Sequence, residues 1–354
     1  MRLLLSLGFA LMILTLPSTA LAKADEFNII GIYYFGCDGN PVDKIKESMP
    51  VLVGDTFTQA EGRSVVEKIS NAVKQAIGSP PTDVAVVDCG KHTWNIYIGL
   101  PGRSIVKIAH TPSPGGSASI SPEGKRLHDE MIRSSITALA SMGSVTEDDS
   151  RGYALSNDPA VRKKQLAFRA WAMTHKTEIN TVLTSSANPQ QRAIAADALG
   201  YIDPSKPQIV ALAGAARDEN SAVRNNAIRA LACIASAKKE LAREIPADAF
   251  IEMLNSSTWT DRNKAVFLLT RLCRQEAVPR KTIRERALQG LAEIACWDVP
   301  HAAGARYLLG SADGLSESQL EALFTAGDTA AIVRVYGGQG RSSETHASKH
   351  EAKH

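Results

Sequence analysis

The sequence predicts an α+β protein, in which a small β-α-α-β-β domain is followed by an α-α superhelical solenoid. Three observations predict this fold class. Strand-like apolar runs occur early in the chain, one helical pattern recurs after position 190, and aromatic residues make up only 5% of the chain. Stacked helical hairpins that pack through alanine and leucine need few aromatic residues, and stacking buries the apolar stripe that one hairpin leaves exposed.

The recurring pattern is an arginine followed by apolar residues three, four, seven and ten positions later. It begins at four positions: Arg192, Arg224, Arg262 and Arg284. These offsets lie on one stripe of an α-helix, so each segment is predicted to be an amphipathic helix. The Arg284 helix follows so closely that we expect it to pair with the Arg262 helix. A fifth segment fits only when its anchor moves from Arg162 to Lys163, which places Leu166 on the apolar stripe.

Two of these segments, "SAVRNNAIRALACIA" and "PQQRAIAADALGYI", resemble HEAT repeats, including the short repeats of phycobilin lyase-like proteins. The resemblance covers about Asp158 to Gly310 and implies a HEAT-repeat solenoid. In that family the leading arginine commonly bonds to acidic or backbone groups of the neighbouring repeat. Arg192, Arg224 and Arg262 are therefore expected to form a structural ladder, in preference to binding a ligand.

The N-terminal part has strand-like runs at 28–35, 83–88 and 93–100, with a short helix near 40–49 between the first two. A longer helix begins after Thr58, which forms a capping-box pattern with Glu61. This order of elements, with "VGDTFT" before the long helix, resembles the POTRA domain of envelope secretion and assembly proteins. The resemblance covers about Phe27 to Gly102 and implies the capture of an extended peptide at a sheet edge.

The first 22 residues have the pattern of a cleavable signal peptide. Arg2 precedes an apolar run, and Ala22/Lys23 is the predicted cleavage site. The run is shorter than the ~20 apolar residues that span a bilayer, so we expect no membrane insertion after cleavage and a periplasmic or secreted protein. The further predicted divisions are a POTRA-like domain at 23–108, a Pro/Gly/Ser linker and capping helix at 109–157, a HEAT-repeat domain at 158–327 and a disordered tail at 337–354.

The five cysteines leave two pairings open: Cys37, Cys89, Cys233, Cys273 and Cys296. Export permits disulfides, and the odd count leaves at least one thiol free. Cys37 and Cys89 each follow a strand-like run; they either pair, which stabilises by roughly 4 kcal/mol on the loop-entropy model, or stay as thiols. Cys273 and Cys296 lie on successive helices, and buried free thiols are favoured there over a bridge.

The search for chemistry finds no nucleophile, phosphate-binding or paired-cysteine signature, so the sequence predicts no catalytic and no cofactor-binding residues. The acidic run Glu147–Asp149 lacks the spacing of a calcium loop and is predicted to be a solvated loop. Cys296 and His301 flank "WDVP" without a third metal ligand, which favours helix-end packing. A helical tail would align His346, His350 and His354 to chelate a metal, but its composition favours disorder.

These patterns predict an exported, non-catalytic scaffold that captures a protein or peptide partner in the cell envelope. The expected surface is the repeat face lined by second helices such as "KPQIVALAGAAR", aided by the edge of the N-terminal sheet. The formal net charge of +3 is too small to favour nucleic acid or an anionic membrane. The alternatives are a lyase- or chaperone-type HEAT protein acting on a cysteine-linked chromophore or other small ligand, and a structural envelope component.

Overall fold

The computed structural model describes residues 26–142, 146–334 and 343–344. Within these ranges the chain forms a small mixed sheet near its N-terminus and fifteen α-helices, most of which lie after residue 120. The α+β class predicted from the sequence is therefore confirmed. None of the described helices is long and apolar enough to cross a membrane. The predicted signal peptide and the tail histidines His346, His350 and His354 lie outside the described residues.

The sheet has the strand order β2-β1-β4-β3. Its strands are β1 (Glu26–Phe35), β2 (Thr56–Thr58), β3 (Asp83–Asp88) and β4 (Thr93–Gly99). β1 runs parallel to β4, while β2 and β3 are antiparallel to their neighbours. Two further short strands, β5 (Glu147–Asp148) and β6 (Leu155–Ser156), form a separate hairpin, and β7 (Ser343–Glu344) pairs with β1. The three predicted strands are present, whereas β2 is too short to be recognised from its sequence.

Both faces of the sheet are buried, which explains why β1 is apolar along most of its length. On one face Ile32 and Tyr34 pack with α1 (Val42–Glu47) and α2 (Gly62–Ile77). The 3₁₀ turn that leads into α2 has the predicted capping box between Thr58 and Glu61. On the other face Tyr33 and Phe35 join the core of the helical region.

Thirteen helices make up the rest of the described chain. They are α3 (Pro122–Met142), α4 (Pro159–Thr174), α5 (Lys176–Ser185), α6 (Pro189–Leu199), α7 (Lys206–Ala215), α8 (Ser221–Ala237), α9 (Lys239–Ala242), α10 (Ala247–Met253), α11 (Trp259–Arg274), α12 (Arg280–Ala295), α13 (Ala302–Ala312), α14 (Glu317–Thr325) and α15 (Ala330–Val333). We call α6, α8, α11 and α13, which lie side by side, the front helices. Each packs against one of α5, α7, α10 and α12, which we call the back helices.

The apolar stripes predicted for the front helices are buried. All residues at offsets three, four, seven and ten after Arg192, Arg224 and Arg262 lie in the core. Arg262 lies in α11, and the packing of α11 corrects one prediction. The Arg284 helix, α12, packs mainly on α13 and is not the partner of α11.

The fifth segment also differs from the prediction, because the residues at the pattern's offsets after Lys163 are not buried. Leu166 is 44% exposed, whereas Gln165 is fully buried and its Oε1 accepts a hydrogen bond of 2.6 Å from the backbone N–H of Ser156. Arg162 donates to the carbonyl of the same Ser156, six residues before it. The polar Gln165 occupies the core position that the apolar pattern assigned to its neighbour.

The linker is irregular, as predicted, but its backbone is hydrogen-bonded to the helical region. We call residues 106–116 the strap. Its backbone forms three hydrogen bonds at five-residue intervals: Val106 N–H to Asn255 O, Thr111 N–H to Arg217 O, and Gly116 N–H to Ser185 O. These three carbonyls each lie seven residues before an anchor arginine, so the strap contacts equivalent positions in three successive helical units.

The sheet is fixed to the helical region by aromatic stacking. The Tyr97 ring on β4 stacks on Trp259 at the start of α11, with 3.9 Å between ring centroids, and Trp297 packs against both. Asp83 accepts a 2.8 Å hydrogen bond from the backbone N–H of Trp259. Burial raises the pKa of Asp83 to about 6, although its hydrogen bond with Trp259 acts in the opposite direction. The sheet and the helices therefore share one core.

Candidate functional site

The anchor arginines are buried side chains that join successive helical units. Arg192 donates from Nε and Nη2 to the two carboxylate oxygens of Asp218, at 2.7 and 2.9 Å. Arg224 binds Asp261 in the same bidentate manner, at 2.7 and 3.0 Å. The Nη1 of each arginine also donates to carbonyls five and six residues before it. Bidentate pairing with extra backbone acceptors satisfies a buried guanidinium, so these contacts hold the helices together.

The third anchor, Arg262, shares its partner with the sheet. Its Nη1 donates to Glu293 on α12 at 3.0 Å, and its Nε donates to a backbone carbonyl of Ser256 at 2.7 Å. The same Glu293 carboxylate accepts the backbone N–H groups of Gly36 and Cys37, at 3.0 and 2.9 Å. Glu293 therefore connects the third anchor arginine to the end of β1.

The cysteines of the described chain are free thiols. Cys37 follows the end of β1, whereas Cys89 follows β3, which runs in the opposite direction to β1 and so ends beside its start. The intervening strand length of seven residues puts the two about 20 Å apart. A disulfide needs Cα atoms within about 7 Å, so the candidate Cys37–Cys89 bridge is wrong for this fold. Burial raises the pKa of the Cys89 thiol to about 11.

A second set of residues lies on the side of the front helices opposite their apolar stripe. These positions fall two, five, nine and twelve residues after an anchor arginine, and we call this side the front face. On α8 and α11 its residues are Asn226, Arg229, Cys233, Ser236, Lys264, Phe267, Arg271 and Arg274. The predicted binding surface lies on the second helices, whereas the charged residues are concentrated on the anchored helices, which the apolar pattern does not indicate.

The acidic segment of the β5–β6 hairpin is docked on this front face. Glu147 accepts from Arg229 Nη2 with both carboxylate oxygens, at 2.6 and 2.7 Å. Asp149 accepts from the Ser236 hydroxyl at 2.9 Å and lies 3.6 Å from Arg271 Nη2. The prediction of a solvated loop is therefore wrong for Glu147 and Asp149.

Lys264 is the most unusual residue of the front face. It is only 8% exposed, and its ammonium has no hydrogen bond or ion pair with any other residue that the structure describes. Its Nζ lies 5.9 Å from the centre of the Phe267 ring. Burial, together with the positive charge of Arg229, lowers the pKa of Lys264 to about 8, although the negative charge of Glu147 acts in the opposite direction. A buried lysine that is not paired directly with a carboxylate opposes folding while it is charged.

Arg271 shares this environment with Lys264. Its guanidinium lies over the same Phe267 ring, 3.7 Å from the ring centre. The Nε and Nη1 of Arg271 are buried and find no hydrogen-bond acceptor within the described chain. We call Arg229, Lys264 and Arg271 the cationic cluster.

The charges around the cationic cluster do not balance. The hairpin supplies two carboxylates, Glu147 and Asp149, for three cations. A further carboxylate, Asp197, lies 4.0 Å from Arg229, but it lies closer, at 3.3 Å, to His128 Nε2. Burial works against protonation of His128, yet Asp129 and Asp197 together raise its pKa to about 9, so His128 neutralises Asp197 at neutral pH. The cluster can therefore accept a further negative charge.

His301 and Cys296 have the structural role that the sequence favoured. His301 Nδ1 lies 2.7 Å from the Tyr97 hydroxyl in the interface with the sheet. Burial lowers the pKa of His301 to about 4, so the imidazole is neutral at pH 7. Among the described residues, no group of three or more histidine, cysteine, aspartate or glutamate side chains is arranged to hold a metal ion.

Comparisons of the chain with protein-family models, with curated proteins and with solved structures find no match. The likeness to HEAT repeats and to the POTRA domain therefore remains a prediction from the sequence. The cationic cluster and its hairpin are the candidate site on which a function can be argued.

Proposed function

We propose that the chain is an exported, non-catalytic scaffold protein that captures a protein or peptide partner in the cell envelope. In this proposal the helical region is a HEAT-repeat solenoid, and the partner binds on the front face around the cationic cluster. The observation that carries the proposal is Lys264, a residue that is only 8% exposed and whose ammonium has no hydrogen bond or ion pair within the described chain.

Packing alone does not account for this lysine. A methionine of similar length would fill the same volume without placing a charge among the buried parts of α8 and α11. Groups that oppose folding concentrate at binding and catalytic sites, where a ligand supplies the missing interaction. Lys264 therefore fits a surface that is completed by a partner.

The front face is open enough for such a contact. The side chains of Arg229 and Arg271 are partly accessible, and the Glu147 and Asp149 carboxylates that touch them face solvent in part. A partner can approach at the rim of the hairpin. Exclusion of water by that partner would strengthen each charged contact, because the local dielectric constant falls.

Two segments of the chain itself favour a partner in extended conformation. The strap pairs with backbone carbonyls along the helical units, and β7 adds antiparallel to β1 at Ile32 and Tyr33. Pairing of an extended segment with β1 is the mode of capture that the POTRA resemblance implies. A second, weak contact at β1, made in place of β7, would raise the effective concentration of a partner already held on the front face.

Site-directed photo-crosslinking tests this proposal. A benzophenone amino acid is placed at Ser150, at the exposed tip of the hairpin, and at Val210, which is 73% exposed on the back helix α7. The full mature chain from Lys23 is irradiated in envelope extract, and adducts are identified by mass spectrometry. We expect one saturable protein adduct from Ser150 and none from Val210. Absence of a saturable adduct at both positions would contradict the proposal, and an adduct at Val210 alone would move the surface to the back helices.

A further inference from the structure

We infer that the cationic cluster recognises an acidic peptide segment of the partner, and that the chain's own Glu147–Asp149 covers the cluster until such a segment displaces it. This inference rests on the proposed function and adds the chemistry of the partner. The geometry that carries it is an acidic segment already bound to two cations, Arg229 and Arg271, beside a third cation, Lys264, that it does not contact directly.

The hairpin shows how an acidic peptide can bind here. Glu147 and Asp149 are two residues apart in a short strand and its turn, so their side chains reach the same surface. Glu147 forms a charged, two-oxygen contact with Arg229, whereas Asp149 approaches Arg271 only to 3.6 Å, which is too long for a hydrogen bond. The first contact is strong and the second is incomplete.

The unused donors lie beside this incomplete contact. Arg271 retains two buried N–H groups without acceptors, and Lys264, which is only 8% exposed, has no direct carboxylate partner within the described chain. Both cations lie near the Phe267 ring, at 5.9 Å for Lys264 Nζ and 3.7 Å for the Arg271 guanidinium, so one added carboxylate could reach either of them. The neighbouring hairpin residues differ from these two, because Asp148 is exposed and Ser150 is neutral. A partner with one more carboxylate would satisfy what the hairpin leaves unpaired.

An acidic peptide can displace the hairpin without a net loss of carboxylate contacts to the cations. A competing acidic peptide replaces each carboxylate contact with one of the same kind and adds the contact to Lys264. The tethered hairpin is present at an effective concentration in the millimolar range, so a free peptide must offer this additional contact to compete. Neutralising the hairpin carboxylates should remove the competition without removing the cations.

Fluorescence anisotropy with a defined probe tests the inference. The probe is a rhodamine-labelled peptide capped at both ends, with the sequence "TEDDS" of residues 146–150 extended by one glutamate. The control probe carries glutamine and asparagine in place of every acidic residue. The proteins are the full mature chain and its variants Glu147→Gln/Asp149→Asn, Lys264→Met, and the triple combination. Lys281→Met, at an exposed lysine on α12, is the matched control.

We expect Glu147→Gln/Asp149→Asn to bind the acidic probe roughly tenfold or more tightly than the unchanged chain, because the internal competitor is lost. Adding Lys264→Met should weaken that binding by roughly tenfold or more, because one carboxylate of the probe loses its cation. Lys281→Met should have no effect, the neutral probe should not bind, and added salt should weaken the acidic probe. Circular dichroism on each variant confirms that the fold is kept.

Two results would overturn the inference. One is equal binding of the acidic probe with and without Lys264→Met, and the other is no binding of that probe to Glu147→Gln/Asp149→Asn. If inorganic phosphate stabilises the chain through Lys264 while the peptide does not bind, the cluster is a small-anion site and the peptide assignment is wrong. A saturable crosslinked partner from Ser150 that the acidic probe does not displace would leave the proposed scaffold function standing and reject the acidic chemistry alone.

Discussion

The anchor arginines and the cationic cluster are both positively charged, but they differ in how completely their side chains are paired with acceptors. Arg192 and Arg224 are buried, and each has a bidentate carboxylate and two backbone acceptors. Lys264 is also buried but has no direct carboxylate partner, and the partly accessible Arg271 keeps two buried donors without acceptors. α11 carries both kinds of residue. Arg262 has partners at Nε and Nη1, although its Nη2 lacks an acceptor within the described chain, and Lys264, two residues later, points to a different side. The anchor arginines therefore stabilise the fold, whereas we propose that the cationic cluster binds another molecule.

The largest effect is expected from Arg224→Met. Removing the guanidinium leaves Asp261 buried without its cation, so the free energy of unfolding should fall by about 3–5 kcal/mol. Urea denaturation at pH 7 measures the change. Arg286→Met is the matched control, because Arg286 is half-exposed and its ion pairs lie at the surface, where such pairs contribute less than about 1 kcal/mol. The double variant Arg224→Met/Asp261→Asn should lose less than the sum of its single changes, and strict additivity would contradict the ladder.

A smaller loss is expected from Glu293→Gln. The amide keeps one acceptor oxygen, but Arg262 loses its anion and one of the two backbone N–H groups at the end of β1 loses its acceptor. We expect a decrease of about 2–3 kcal/mol in the free energy of unfolding. Amide hydrogen exchange should accelerate at Gly36 and Cys37 more than in α6. Unchanged exchange at these two amides would show that Glu293 does not join the sheet to the helices.

Lys264→Met is expected to raise the free energy of unfolding, whereas the two preceding variants lower it. Removing an uncompensated buried charge should raise the free energy of unfolding by about 1–3 kcal/mol. Lys281→Met, at an exposed position, should stay within about 0.5 kcal/mol of the unchanged chain. Both variants are measured by urea denaturation at pH 7. A clear loss of stability in Lys264→Met would mean that the ammonium is satisfied in the folded chain.

The pH dependence of the free energy of unfolding provides a second test of the unpaired charge on Lys264. The folded pKa of Lys264, about 8, lies below its ordinary value of 10.5, so the unfolded chain binds more protons between these values. Stability conferred by this position therefore rises as the pH increases from about 8 to 10.5. The advantage of Lys264→Met over the unchanged chain should shrink across that window, since the lysine becomes neutral in the folded chain first. Denaturation curves for both proteins at pH 7, 8, 9 and 10 test this, and a constant difference would contradict it.

Local pattern was enough to predict much of the fold. The offsets after Arg192, Arg224 and Arg262 define helices because a 3.6-residue period brings those apolar residues onto one side, and all of them are buried. The capping box at Thr58 was recognised for a similar reason, since its two residues are close in sequence. Where the pattern failed, a polar side chain had taken a core position, as Gln165 does.

The partners of the arginines and the docking of two loops could not be predicted in the same way. Asp218, Asp261 and Glu293 lie at different distances along the chain from their arginines, so no fixed spacing marks them. The strap and the hairpin have the composition of solvated loops. Their contacts come from helices far away in sequence, and the charge imbalance at Lys264 becomes visible only when α8, α11 and the hairpin are brought together.

The most direct test of the central claim is the recovery of the crosslinked partner by Lys264→Met, compared with Lys281→Met and the unchanged chain. The crosslinker stays at Ser150 in all three proteins, and the adduct is quantified at equal protein concentration. We predict that the unchanged chain and Lys281→Met recover the partner equally, while Lys264→Met, although folded and more stable, recovers less than about a tenth as much. Equal recovery by all three would contradict the claim that this buried lysine is kept for a partner.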